Sequence, residues 1–214
     1  MTSASSVPVQ VPMPMFPLGT VLFPFARLPL HVFEPRYRVL VHDCLRNRNE
    51  FGVVLIERGY EVGGGDDRFG VGTVAHIVGA GELPDGRWVL DTVGDRRIRV
   101  VTWLPDDPYP VALVEEAPEG ADDGGGDELV SVAQRAVRRA LTLKEELSEP
   151  AAPAGVALSD EIGLAVWQLS ELAPLGLLDR QRLLEADDAG ERLRLLTELV
   201  NEEADALARR LAEG

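Results

Sequence analysis

Phe16-Pro17-Leu18-Gly19-Thr20-Val21-Leu22-Phe23-Pro24, followed after three intervening residues by Leu28-Pro29-Leu30-His31-Val32-Phe33-Glu34-Pro35-Arg36-Tyr37, is the stretch on which the reading of the fold turns. Val21–Phe23 and Leu28–Phe33 are apolar runs of strand length, rich in Val, Leu and Phe. Pro17, Pro24, Pro29 and Pro35 fix φ and withhold an N–H, which suits strand edges and the first turn of a helix. From Glu34-Pro35 onward the period changes. Tyr37, Leu40, Val41, Cys44 and Leu45 fall at helical spacing, and the helix is expected to stop between Arg46 and Asn49. Glu34 and Arg38, four apart in the favourable order, predict a helix pair worth roughly 0.3–0.5 kcal/mol if exposed. Cys44 on the apolar face reads as a small core residue.

Outward from that stretch, the pattern stays β-like to Glu116. Strand-length runs recur at Phe51–Ile56, Gly72–Val78, Arg87–Asp91, Arg97–Trp103 and Val111–Val114. Leu83-Pro84-Asp85-Gly86-Arg87 predicts a turn joining two antiparallel strands, because proline presets φ and Asp-Gly supplies the reversal. Gly63-Gly64-Gly65 reads as another turn. Thr2–Pro14, rich in Ser, Pro and Val, reads as part of a flexible lead-in over residues 1–14. A Gly-rich acidic linker is expected over residues 117–127, with a helical part over residues 128–214. Its helices are predicted from Asp127 as N-cap through Leu147, from Ser159 to Leu172 (stopped by Pro174), from Leu177 to Glu185, and from Gly190 to Leu211. A β-rich half precedes an all-α half, so the fold class is α+β.

The chain of 214 residues carries a formal charge of -15, with 36 acidic against 21 basic residues. The excess is uneven: -4 through Glu116 and -11 beyond it. Such a chain repels phosphate backbones, which makes general nucleic-acid binding a poor expectation. Cys44 is the single cysteine, so no intrachain disulfide forms. The first fifteen residues hold no Lys or Arg and no continuous apolar core, and no apolar stretch is long enough to span a bilayer. A cytoplasmic protein is expected.

The sequence carries none of the common catalytic signatures. Lys144 is the only lysine and sits in Leu143-Lys144-Glu145, without the glycines of a phosphate loop and beside carboxylates that favour its charged form. No Gly-x-Ser-x-Gly elbow marks a nucleophile near His31, His42 or His76. His42 and Cys44, two apart on a helix, point away from each other and cannot close on one metal ion. Asp66-Asp67 and Asp106-Asp107 lie in turn-like sequence where solvation explains them. The expectation is therefore no enzyme, no metal and no cofactor.

The opening stretch resembles the hallmark of the Lon N-terminal domain family, an FPL…VLFP…LPL.VFEPRY run. Gly94-Asp95-Arg96-Arg97-Ile98-Arg99-Val100 is similar to that family's glycine–arginine strand. Pro174-Leu175, Asp179–Glu185 and Glu191-Arg192-Leu193 are similar to its C-terminal helical signature. The resemblance implies a PUA-like β-pseudobarrel with one internal helix over residues 15–116, followed by an all-α helical bundle. Phe23, Leu30 and Phe33 would fill the barrel core. It also implies a binding module for unfolded or extended polypeptides, acting without ATPase or peptidase domains and handing clients to a protease partner. Alternatives are a small-molecule or RNA-binding PUA-like domain, or a hydrolase with an unrecognised site. Arg36, Tyr37, Arg96 and Arg97, with Phe33 and Glu34, are the candidate substrate-binding residues, placed on a groove where barrel and bundle meet.

Overall fold

The computed structural model describes residues 9–58, 67–120 and 126–213; the triple glycine at 63–65 and the middle of the acidic linker lie outside them. Two compact units divide at Pro118 and Glu119.

In the first unit the elements are β1 (Val11–Leu18), β2 (Arg27–Val32), α1 (Pro35–Arg46), β3 (Glu50–Arg58), β4 (Asp67–Glu82), β5 (Trp88–Leu104) and β6 (Val111–Glu116). The strand order is β2-β5-β4-β3-β1-β6, and β5 also pairs with β6. That extra pairing closes a ring of β5, β4, β3, β1 and β6, leaving β2 attached to the first half of β5 alone. The architecture is the expected α+β one: a β-pseudobarrel carrying one helix, then helices.

Closure explains why several strands read as continuous apolar runs. Met13, Met15, Val54, Val74, Ile98, Ala112 and Val114 form one buried cluster. Phe16, Leu18, Phe51, Val53, Ala75 and Ile77, of opposite parity on the same strands, form another with Tyr37, Leu40, Val41 and Cys44 of α1. Side chains of a strand alternate between faces, so β1, β3 and β4 bury both. One face packs into the barrel and the other under α1.

Three strand expectations change. β1 begins at Val11, so Val11–Pro14, assigned to the lead-in, are paired with β6. Val21–Phe23 is buried without being a strand. The expected runs Arg87–Asp91 (from Trp88 on) and Arg97–Trp103 both belong to the single long β5. The joint between them is Gly94. A Cβ there would stand 2.1 Å from the Phe23 carbonyl oxygen, so only glycine lets the Leu22–Ala26 turn cross the strand. Phe25 N–H donates to the Gly94 carbonyl and Gly94 N–H to that of Ala26, fastening the turn. The Leu83–Arg87 turn joins β4 to β5 as expected, with Gly86 at φ +78°.

In the second unit, α2 (Gly126–Glu146), α3 (Ile162–Leu172), α4 (Leu177–Glu185) and α5 (Ala189–Glu213) supply the helices. Asp127 lies within the first turn of α2 rather than at its N-cap. Arg192 of α5 is fully buried. Its guanidinium lies 3.8 Å from the Trp167 ring centre, donates to the Leu183 and Ala186 carbonyls at 2.8 Å each, and pairs with Glu119 at 2.9 Å. No helix among the described residues is long and apolar enough to cross a membrane.

Candidate functional site

The expected site residues separate into two groups on the first unit. Phe33, Glu34, Arg36 and Tyr37 lie at the amino end of α1. Arg96 lies with the opposite, carboxyl end, where it lines a cavity shared with Asp43 and Arg46.

At the amino end, the alternation of β2 turns Val32 inward, 2% exposed, and the next residue, Phe33, outward, 57% exposed. Phe33 therefore does not fill the core as expected. Glu34 occupies the N-cap position in an extended conformation, so it is not on the helical face that Arg38 shares. The expected pair is replaced: Arg36 Nε donates to the Glu34 carboxylate at 3.1 Å, and the Arg36 guanidinium lies 4.6 Å from the Tyr37 ring centre. Tyr37 is buried and stacks on Phe16 with ring centres 4.1 Å apart. It supports the surface from beneath instead of forming its rim. Beside Phe33 is a concavity of about 420 Å³ lined by Pro35, Arg38, Val39, His42, Glu82 and Trp88. Trp88 is the register partner of Val32, which brings this concavity next to Phe33.

A second exposed aromatic escaped the sequence reading. Phe25, 56% exposed, has φ 65°, a left-handed conformation that costs a residue with a Cβ roughly 1–3 kcal/mol. It stands before β2 as Phe33 stands after it. The signal available was negative: Phe25 falls between two strand-like runs, outside either apolar period.

At the carboxyl end of α1, β1 changes partners. Val11–Pro14 pair with β6 and Met15–Leu18 with β3, so beside the first half of β1 one edge has no strand neighbour. Pro12 and Pro14 suit that edge because they have no N–H to leave unpaired, while Met15 N–H donates across to Pro110. The gap is a cavity of about 720 Å³, bordered by Val11–Pro14 on one side and by Asp43, Arg46, Asn47, Arg48, Glu50, Arg96 and Tyr109 on others. A neighbouring cavity of about 620 Å³ shares Val11, Met13, Arg48 and Arg96 and reaches Ile98 and Val114 of the barrel core. Arg96 ties its strands together, pairing with Glu50 at 3.1 Å and Glu116 at 3.2 Å, and also with Asp95. The Glu50 hydrogen bond is the main reason its pKa rises. The Tyr109 hydroxyl donates to the Asp43 carboxylate at 2.9 Å. Burial, then that bond, pushes its pKa up to about 12.

Arg97 faces the other way from Arg96. It is buried, donates to the Pro118 carbonyl at 3.2 Å, and so holds the end of the unit rather than a rim. Cys44 is also buried; desolvation and then the Asp43 charge push its thiol to about 12, which removes its nucleophilic form at neutral pH. Among the described residues, no three His, Cys, Asp or Glu side chains converge in a metal-binding set.

A sequence profile of the ATP-dependent protease La (LON) substrate-binding domain matches residues 12–202. Lon protease 2 of Herpetosiphon aurantiacus is 29% identical over 199 residues, 91% of this chain and 24% of the relative. The Lon protease of Cytophaga hutchinsonii is 30% identical over 200 residues, again 91% of this chain and 24% of the relative. The chain thus spans about a quarter of the length of these curated relatives. A crystal structure of a Lon N-terminal domain protein from Xanthomonas campestris superposes with a TM-score of 0.62 at 32% identity, covering 88% of this chain and 98% of that one. The N-terminal domain of the Mycobacterium avium complex Lon protease shares the fold at 17% identity, with a TM-score of 0.63 over 90% of this chain and 99% of that one.

Proposed function

Because the chain belongs to the ATP-dependent protease La (LON) substrate-binding domain family, we propose that it is a non-catalytic module that grips unfolded or extended polypeptides and hands them to a protease. The observation that carries this reading is the pair of exposed phenylalanines, Phe25 and Phe33, at the two ends of β2. Large exposed aromatics are enriched where proteins bind one another, and strained backbone conformations cluster at ligand-binding sites. The concavity beside Phe33, with Trp88 and Val39 in its wall, offers a second apolar side chain a place to sit.

The grip is by side chains and not by strand addition. β2 is an edge strand, but Pro29 interrupts its donors and Arg27 places a charge on it, both of which discourage another strand from pairing. Apolar anchors without a fixed backbone register suit clients of varied sequence. Such anchors are covered in folded proteins and available in unfolded ones.

The test is binding of a permanently unfolded, reduced and carboxymethylated protein, measured by calorimetry beside its folded form. Affinity for the unfolded form alone is expected, weakened about tenfold or more by the Phe25→Ser/Phe33→Ser variant, equivalent to roughly 1.4 kcal/mol. Equal binding of both forms, or an unaltered affinity of the variant, rejects the reading.

A further inference from the structure

The cavity at the carboxyl end of α1 takes no part in that reading, yet it has a distinct charge arrangement. Arg46 and Arg48 border it, are exposed, and among the described residues make no ion pair or side-chain hydrogen bond. Elsewhere on the unit, Arg27, Arg36, Arg87 and Arg96 each face a carboxylate. Arg38 and Arg99 of the same unit likewise make no ion pair among the described residues, so what distinguishes Arg46 and Arg48 is that both border one cavity, two residues apart in the chain. Arg46, in the last turn of α1, also offsets the negative end of the helix dipole. Arg48 lies beyond the C-cap Asn47 and has no such role. The floor offered by Val11, Pro12 and Met13 is largely apolar.

The two ends of α1 are joined by one surface. Val39, His42 and Arg46 are exposed and spaced by three and four residues, which puts them on one helical face. Val39 and His42 line the concavity beside Phe33, and Arg46 lines the cavity at the other end. From Pro35 to Arg46 the helix rises about 16 Å, and an extended chain covers that in about five residues.

We infer that the Arg46–Arg48 cavity is a carboxylate subsite for the polypeptide held at the Phe33 end, a proposal that rests on the preceding reading. It takes an Asp or Glu side chain, or a terminal carboxylate, about five residues from the apolar anchor. Guanidinium and carboxylate match as a planar, bidentate pair, and Val11, Pro12 and Met13 border that pair on one side with apolar surface. A nucleic acid fits less well. A phosphate backbone carries a charge at every nucleotide and would meet Asp43, Glu50 and Glu116 along the border. A single carboxylate needs only Arg46 and Arg48, Glu50 and Glu116 being already paired with Arg96. The bordering aromatic Tyr109 has its hydroxyl held by Asp43.

The experiment is fluorescence anisotropy on the full chain at low salt with labelled ten-residue peptides. One carries Phe with Asp five residues later, a second has Asn in place of the Asp, and a third has Asn with a free carboxyl terminus at that spacing. The Asp peptide is expected to bind about three- to fivefold more tightly than the Asn peptide. Arg48→Gln should reduce that preference and Arg46→Gln/Arg48→Gln abolish it, leaving the Asn peptide's affinity unchanged. A matching gain for the free terminus identifies a terminal carboxylate as an accepted source, whereas a gain for Asp alone restricts the subsite to side chains. Equal binding of Asp and Asn peptides, a preference that survives the double substitution, or tighter binding of a single-stranded oligonucleotide overturns the subsite. Phe33→Ser should weaken both Asp and Asn peptides alike. If it weakens neither while the Asp preference persists, the anchor reading falls and the carboxylate subsite stands.

Discussion

Arg192 in the helical unit and Arg96 in the barrel unit are both arginines held by several partners, but they do different physical work. Arg192 has no exposed side-chain surface and closes the α4–α5 corner through two carbonyls, a tryptophan face and Glu119. Arg96 keeps a third of its side chain in water while pairing with carboxylates on β3, β5 and β6. A buried guanidinium has lost its hydration, so its partners are obligatory. An exposed one exchanges partners with water at little cost. The helical unit is therefore organised by a charge in its interior, and the barrel by apolar burial on both faces of its strands with charge at the border. The lesson is that a sequence motif rich in arginine does not by itself mark a binding surface.

The largest test of that contrast is Arg192→Ala. Removing the donors to Leu183 and Ala186 and the cover over Trp167 is expected to destabilise the helical unit by about 3–5 kcal/mol. Hydrogen exchange should show lost protection in α4 and α5, and protection there equal to the parent protein's would break the comparison.

Cys44 tests the barrel's reliance on desolvated burial. Its thiol pKa is raised in the folded state to about 12. Its contribution is complete below the unfolded thiol's pKa and is lost as pH climbs toward 12. Urea unfolding between pH 9 and 11 should show stability falling by up to about 1.4 kcal/mol per pH unit from this group. Tyr109, also raised, adds a loss of the same sign at the upper end. Cys44→Ala should flatten the cysteine part of that slope, and an unchanged slope would refute the assignment.

Phe25→Gly separates stability from binding. Relief of the left-handed conformation should raise stability by up to about 1 kcal/mol, while affinity for unfolded protein drops. A thermal midpoint that falls would mean that Phe25 is held there for packing. The smallest effect belongs to Arg96→Gln, expected to cost no more than about 1 kcal/mol in denaturant melts because its pairs are reached by water. A loss as large as that of Arg192→Ala would erase the distinction between the two arginines.

Much of the molecule was set by local sequence. The spans of α1 and α4, the Leu83–Arg87 reversal and the succession of β-rich and helical parts follow from periodicity, proline placement and turn chemistry, all of which act over a few residues. Tertiary structure decided which way those elements face. Val11-Pro12-Met13-Pro14 resembles coil until β6 lies alongside, because prolines disqualify a strand only on the edge where donors are required. Phe33 and Tyr37 are each expected from sequence both in the core and at the site, and the structure puts Phe33 at the surface and Tyr37 in the core. The reason is that so short a stretch cannot show where a strand's alternation yields to a helix's period. The Arg46–Arg48 border was invisible for the same reason. It exists only where β1 changes partners, and that pairing joins residues far apart in the chain.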